Sequence, residues 1–153
     1  DIGWSVTPSL GSPKDRVSLI KGLEDNVITA ISVHSTPRDD SETKLPAIKR
    51  KKGISCYNLV LPLLWDQLVR KSGWEVEKLW EKISFGPSKF LNQVEEKLSL
   101  NSNRWVLFDP DKEWYQSSEE KHLITTTNQP IKDKKIIGKV IDCGLINQAC
   151  QND

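Results

Sequence analysis

The chain contains few residues that could perform chemistry, and they directly follow one apolar run. Of the two histidines in the chain, His34 follows the β-branched segment Val27–Val33 and opens a short polar cluster with Ser35 and Thr36. An imidazole beside a hydroxyl can activate that hydroxyl as a nucleophile. No Gly-x-Ser-x-Gly elbow accompanies the cluster, so serine catalysis is not favoured. The C-terminal end of a strand is nevertheless where α/β barrels carry their chemistry.

The sequence offers no complete metal site. Zinc normally requires three or four protein ligands. The chain has no His-x-His or His-Glu-x-x-His motif and no carboxylate cluster at ligand spacing, and Cys56, Cys143 and Cys150 lack Cys-x-x-Cys spacing. His34 could supply one ligand at most. His122 lies in a polar stretch, where we expect an exposed histidine without a special role.

Length and charge fit one ordinary globular domain. The chain has 153 residues, of which 37% are hydrophobic, enough to bury a core. Its net charge of +1 gives no electrostatic footprint for nucleic acid. The basic run Lys49–Lys52 favours a solvated loop over a phosphate or polyanion site.

Membrane and export signals are not found in the sequence. No apolar run reaches the roughly 18 residues of a transmembrane helix, and the start at Asp1 lacks the basic head and apolar core of a signal peptide. Three widely spaced cysteines, an odd number, favour a reducing, cytoplasmic location. The chain contains no methionine, even at position 1, from which we expect a piece of a longer protein.

The first elements predict half of a βαβ repeat. Ser12 and Pro13 are good residues for a helix N-cap and first helical position, and a partial apolar face continues to about Glu24. Val27–Val33 is apolar and β-branched with little alternation, which predicts a strand buried on both faces. The polar segment Thr36–Lys52 that follows is long enough to predict a functional lid or a disordered loop.

Three further helices and a β-rich region follow. We predict that Gly and Pro residues separate the helices, with a kink or a helix start near Pro62 and breaks at Ser72-Gly73 and Gly86-Pro87. Four tryptophans in apolar patterns predict core packing: Trp65, Trp74, Trp80 and Trp105. The predicted helices are Tyr57–Val69, Trp74–Ile83 and Ser88–Gln93, and the predicted strands are Arg104–Asp109, Glu113–Gln116 and Ile131–Asn147, with a turn at Asp109–Asp111 and interruptions at Gly138 and Gly144.

Several local motifs resemble those of dihydroorotases and related cyclic amidohydrolases. Ala30–Pro37 resembles the family's catalytic Ala-Thr-Asp-His-Ala-Pro motif, and Gly53-Ile54 is similar to its Phe-Gly-Ile loop. The order and spacing of the motifs are similar over roughly residues 4–147, which is almost the whole chain. The other similar segments are Val6–Leu10, Asp15-Arg16, Leu19–Leu23, Ile28–Ile31, Leu61–Leu64, Ser84 with Pro87, Leu107–Pro110 and Gly138–Ile141.

The resemblance implies an α/β fold that is the C-terminal portion of an amidohydrolase (β/α)₈ barrel followed by part of a small β domain. Residues 1–100 would form the last barrel strand and the C-terminal helices, and residues 101–153 the C-terminal portion of the β domain. It also implies that Thr7, Gly53 and Ile54 bind substrate. Family members use zinc to activate water, with an aspartate from the last barrel strand as metal-site residue and proton shuttle.

The chain departs from the family motifs at the residues that matter most for this chemistry. His34 stands in place of that aspartate, and an imidazole lacks the negative charge of a carboxylate. Ser35 replaces the next histidine of the motif. Thr7 replaces a substrate-contacting asparagine, Gly11 an arginine and Asn58 a glutamate. The remaining metal ligands of the barrel, including its His-x-His, lie outside this chain.

Three hypotheses follow. In the first, the chain belongs to a catalytically degenerate dihydroorotase-like protein that acts by association, for example with another enzyme of pyrimidine biosynthesis, and itself binds no zinc. In the second, the parent protein is an active zinc-dependent cyclic amidohydrolase with His34 in an altered metal site. In the third, the chain is an unrelated α/β domain with chance similarity. Under the first two, the chain alone is expected to be inactive and to associate with the rest of the barrel or with itself; we expect neither nucleic acid nor membrane as a partner.

Overall fold

The computed structural model describes residues 6–95, 97–100, 102, 104–116, 128–131 and 134–145. The first helix, α1, spans Pro13–Glu24 and begins as the sequence predicts. The Ser12 hydroxyl accepts a hydrogen bond from the Asp15 N–H at 3.3 Å, and the Asp15 carboxylate accepts one from the Ser12 N–H at 2.7 Å. This reciprocal capping box satisfies two backbone donors that a helix start would otherwise leave unpaired.

The segment after α1 is extended but pairs with no strand in the described structure, so the predicted strand Val27–Val33 is not found. Its backbone is held by a helix instead, since the Ile31 N–H donates to the Lys82 carbonyl at 2.8 Å. Ile28 and Ile31 pack against the buried core. The predicted burial on both faces is not found either, because no residue of this segment is fully buried and Val27 is 80% exposed. A strand also needs a hydrogen-bonded neighbour, which the described residues do not supply.

The helical region is more continuous than the sequence predicts, although it ends at Phe90 rather than at Gln93. The described elements are α2 (Asp40–Thr43), a 3₁₀ turn (Ala47–Lys49), α3 (Tyr57–Leu64), a π-helical stretch (Trp65–Lys71), α4 (Val76–Trp80), a second π-helical stretch (Glu81–Phe85) and α5 (Gly86–Phe90). Pro62 is accommodated inside α3. The predicted break at Gly86-Pro87 is wrong: Gly86 has helical φ and ψ of −61° and −47°, and Pro87 lies in a helical run that continues from Glu81–Phe85 into α5. The long predicted loop Thr36–Lys52 thus contains two short helical turns.

The helical core is small and lies between α1 and the helices that follow the loop. Its buried members are Leu23, Leu68, Trp74 and Leu79, with Ile28, Ile31, Trp65 and Ile83 among the side chains packed against them. The indole N–H of Trp74 donates to the Glu24 carboxylate at 2.9 Å, so this tryptophan joins the core to the end of α1. Every helix in the described part of the chain is too short or too polar to cross a membrane.

The β-rich region forms one antiparallel pair of strands, β1 (Arg104–Tyr115) and β2 (Lys135–Leu145). The register shifts between Asp109 and Glu113, so the predicted turn at Asp109–Asp111 is an irregularity inside β1. β2 runs through Gly138 and Gly144 without a break. Gly138 has a φ of +94°, and a Cβ there would lie 2.8 Å from the Phe108 ring, so both its backbone and its contact require glycine.

The strand pair packs on the helices through a few well-placed contacts. The rings of Trp65 and Phe108 lie 5.2 Å apart in a tilted arrangement, and the Arg70 guanidinium donates to the Asp111 carboxylate at 2.6 Å. Trp74 is buried, but Trp105 is 37% exposed, so the prediction of core packing is wrong for Trp105. Its indole lies against Gly144, where an added Cβ would be 2.1 Å from the indole nitrogen.

Candidate functional site

The structure brings together two loops that carry most of the predicted site residues. We call residues 34–38 and 53–56 the site loops. The Thr36 N–H donates to the Ile54 carbonyl at 2.8 Å, and the Cys56 N–H donates to the Ser35 hydroxyl at 3.0 Å. These two bonds place Thr36 beside the predicted substrate-binding residues Gly53 and Ile54, although 17 or more residues separate them in the sequence.

Gly53 is fixed by its contact with Thr36. Its φ of +140° is a backbone conformation that residues with a Cβ rarely adopt, and a Cβ built at this position would lie 1.5 Å from the Thr36 hydroxyl oxygen. The N–H groups of Gly53 and Ile54 have no acceptor in the described part of the chain. Two successive backbone donors in one loop can bind an oxygen of a ligand.

His34 does not form the nucleophile and base arrangement that its neighbours suggested. It is exposed, and its Nε2 lies 3.3 Å from the Ser32 hydroxyl oxygen. The Ser35 hydroxyl instead accepts a hydrogen bond from the Cys56 backbone, which joins the two site loops. Ser35 therefore makes a structural contact, and no hydrogen bond joins it to His34 among the described residues.

The predicted site residues do not assemble a metal centre. Among the described residues, no group of three or more His, Cys, Asp or Glu side chains could hold a metal ion. Thr7 is exposed and has no hydrogen bond to the site loops in the described structure. His122 and Cys150 lie outside the described residues. A zinc ion that needs three or four protein ligands thus does not fit the donors that this part of the chain supplies.

The extended segment that leads to His34 is positioned by the second π-helical stretch. Lys82 is 2% exposed, and its ammonium group donates to the Asn26 side-chain oxygen at 2.7 Å and to the Ile28 carbonyl at 3.2 Å. A Cβ at Gly86 would lie 2.2 Å from the Thr29 carbonyl, so the segment rests directly on this glycine. A buried lysine is rare unless its charge is satisfied, and here two neutral oxygens accept hydrogen bonds from its ammonium group.

Hydrogen bonds to the Asp39 carboxylate stabilise the polar loop between the site loops. At the start of α2, the Glu42 N–H and the Ser41 hydroxyl donate to the Asp39 carboxylate at 2.8 and 2.7 Å, and these bonds lower the pKa of Asp39. Lys51 and Lys52, in the basic run, are exposed, as expected of a solvated loop.

Asn128 is the site residue that sequence reasoning missed. It is 8% exposed, and its side-chain amide contacts both site loops. It lies in a polar stretch with no motif around it, and 92 residues separate it from Thr36. No periodicity or spacing in the sequence points to it, because only the folded chain brings these residues together.

Comparison with solved structures defines the class of fold. The chain superposes on a dihydropyrimidinase from Brevibacillus agri with a TM-score of 0.78 over 94% of its residues, at 17% sequence identity. A D-hydantoinase from a Thermus species gives a TM-score of 0.75 over 94% of the chain, at 16% identity. The chain covers 32% of each of these proteins. Its α/β fold is that of part of a cyclic amidohydrolase.

Sequence comparison narrows the relationship further. The chain is 32% identical over 139 residues to the dihydroorotase of Clostridioides difficile, and 31% identical over 137 residues to that of Aquifex aeolicus. These alignments cover 88% and 89% of the chain but only 32% of each relative, so the chain spans about a third of their length. No family model matches the chain. The chain is thus a homologue of dihydroorotases, consistent with a C-terminal fragment of that family, and the resemblance stated from its motifs is confirmed.

Proposed function

We propose that this chain is the C-terminal part of a dihydroorotase-like protein that has lost its catalytic site and acts through association. Residues 1–100 would be the last strand and C-terminal helices of an amidohydrolase barrel, and residues 101–153 the C-terminal portion of its small β domain. The extended segment Val27–Val33 fits this role, because a barrel strand finds its hydrogen-bonded neighbours in strands that this chain does not supply. The similarity to about a third of each relative supports the same assignment.

The observation that carries the proposal is the environment of His34. Where the family motif has an aspartate, this chain has an exposed imidazole whose neighbour is the Ser32 hydroxyl. A carboxylate at this position would hold positive charge and accept a proton from metal-activated water. A neutral imidazole supplies no negative charge, and the next motif residue, Ser35, is engaged with the Cys56 backbone. The chemistry of the family is therefore not supported by the residues at this end of the segment.

We propose that this chain does not bind zinc by itself. His34 is the single motif residue able to bind a metal, and no further group of ligands accompanies it among the described residues. We therefore assign no catalytic step to a metal here. The site loops keep the free N–H groups of Gly53 and Ile54, so binding of a ligand oxygen at this edge remains compatible with the loss of turnover.

Association is supported by the apolar surface that the chain leaves uncovered. A groove of about 830 Å³ lies between the second π-helical stretch and the strand pair, and it is lined mainly by apolar side chains. Exposed apolar patches of this kind mark interaction surfaces. We propose that the remainder of the parent barrel or a second copy covers this surface, and that the complete protein then associates with another enzyme of pyrimidine biosynthesis. The exposed apolar side chains that line this groove include Leu98, Val106 and Leu107.

The test of lost catalysis measures zinc content and dihydroorotate turnover of the intact parent protein. We expect no turnover above the uncatalysed rate, and no change on His34→Ala. His122→Ala is the matched control, because it removes the other histidine of the chain. Bound zinc together with turnover that is lost in His34→Ala, and kept in His122→Ala, would refute the proposal and establish an active enzyme with an altered metal site.

The test of association uses sedimentation velocity. The chain should self-associate alone or form a defined complex with the separately produced remainder of the parent. A monodisperse monomer that does not bind the remainder contradicts the proposed covering of the apolar surface.

A further inference from the structure

We propose that Asn128 is a positioning residue that locks the two site loops to each other and to the segment before β2. The inference rests on the proposed function only in taking these loops as the edge of the candidate site. It adds a residue that the family motifs did not single out and a means by which the β-rich region controls the site.

The amide of Asn128 is nearly saturated with hydrogen bonds. Its nitrogen donates to the carbonyls of Thr36 at 2.8 Å and Gly53 at 3.1 Å, and its oxygen accepts from the Arg38 N–H at 2.9 Å. These bonds use three of the four that an asparagine amide can form. In addition, the Asn128 carbonyl accepts from the Ser55 N–H at 3.0 Å. One buried residue thus contacts both site loops through four hydrogen bonds.

The pattern of donors and acceptors selects asparagine. An aspartate would keep the acceptor for the Arg38 N–H but would turn a carboxylate towards the carbonyls of Thr36 and Gly53. An alanine would remove all three side-chain bonds, which lie in a partly buried place. In both cases the direct loop-to-loop bond from the Thr36 N–H to the Ile54 carbonyl remains. Hydrogen exchange at the Thr36 N–H can therefore report how tightly the two site loops are held together.

The contacts cross a long distance in the sequence. Asn128 is 92 residues from Thr36, 90 from Arg38 and 75 from Gly53. It lies between β1 and β2 in the sequence, so its hydrogen bonds link residues 128–131 to both site loops. Through this link the segment before β2 positions the edge of the site.

The test measures amide hydrogen exchange in the intact parent protein. In Asn128→Ala, exchange at the Thr36 and Arg38 amides should accelerate by about tenfold or more, because breaking buried bonds lowers the free energy of local opening. In Asn128→Asp, exchange at Thr36 should accelerate while Arg38 keeps most of its protection. Asn58→Ala is the matched control, since Asn58 is an exposed asparagine on α3. The helix α1 is the internal reference.

The outcomes separate positioning from general stability. Faster exchange confined to the site loops supports the proposal. Unchanged exchange at Thr36 and Arg38 overturns it, as does an equal acceleration in α1 and the site loops. If Asn128→Ala does not fold, the unequal response of Thr36 and Arg38 in Asn128→Asp decides the matter. None of these measurements uses zinc or turnover, so failure here is distinct from failure of the proposed function.

Discussion

Replacing Gly86 by alanine tests how the segment that leads to His34 is held. Gly86 is helical, and alanine at a helical position would by itself stabilise the helix by about 0.5–1 kcal/mol. The structure predicts that alanine at this position destabilises the protein instead. The added Cβ would lie 2.2 Å from the Thr29 carbonyl and 2.6 Å from the Glu81 carbonyl. Both atoms belong to backbone, so no side chain can rotate to make room.

The size of this destabilisation follows from the contacts that the added Cβ would disturb. Relieving the closer contact requires the Thr29 segment to move by about 0.8 Å or more. That movement strains the bond from the Ile31 N–H to the Lys82 carbonyl and both bonds from the Lys82 ammonium group. At about 1 kcal/mol for each bond, with a further cost for overpacking, the loss exceeds the gain in helix propensity. We expect a net destabilisation of about 2–4 kcal/mol.

Urea unfolding followed by tryptophan fluorescence measures this difference. With a slope of about 2 kcal/mol per molar urea, the midpoint should fall by about 1–2 M. Gly73→Ala is the matched control, because Gly73 has a φ of +68° but no atom within 4 Å of an added Cβ. Gly73→Ala should lower the free energy of unfolding only by the backbone strain, about 1 kcal/mol. A midpoint for Gly86→Ala at or above that of the unmodified protein would refute the packing described for this segment.

Two further predictions concern the site loops and the first helix. Gly53→Ala should destabilise by about 3 kcal/mol, since its Cβ meets the Thr36 hydroxyl. Thr36→Ala should recover part of that loss in the double variant, as measured by urea midpoints, and additive losses would contradict the contact. The backbone and side-chain hydrogen bonds from Ser12 lower the pKa of Asp15, so its contribution to stability is present above about pH 4 and is lost as the pH falls through the folded-state pKa. Thermal melts from neutral to acid pH should show this loss in the unmodified protein and a flatter profile in Asp15→Asn; parallel profiles would contradict the role of the capping box.

Elements with local determinants were predicted well from the sequence. Ser12 and Pro13 specified the start of α1 because the capping bonds form within one helical turn. The apolar helix after Gly53 and the strand beginning at Arg104 were also recognised from periodicity and residue type. The motif order identified the dihydroorotase relationship, which the relatives confirm. These features depend on neighbours in the sequence or on similarity along it.

Elements that depend on distant partners were predicted less well. Val27–Val33 has the composition of a buried strand, yet its backbone is held by Lys82 rather than by a strand in the described structure. Gly86-Pro87 has the composition of a helix break, but Gly86 is helical and packs closely against the Thr29 carbonyl. Trp105 has an apolar setting in the sequence and is nevertheless partly exposed. In each case the deciding contact comes from another part of the chain.

The sequence by itself determined the family relationship, the capping of α1 and the replacement of an expected aspartate by His34. Only the tertiary structure decided that Ser35 binds the Cys56 backbone rather than His34, and that Asn128 holds Thr36 and Gly53 together. The physical reason is that a side chain of known type can hydrogen-bond with whichever group the fold brings within about 3 Å. Residue types fix what chemistry is available, and long-range packing fixes which groups meet to perform it.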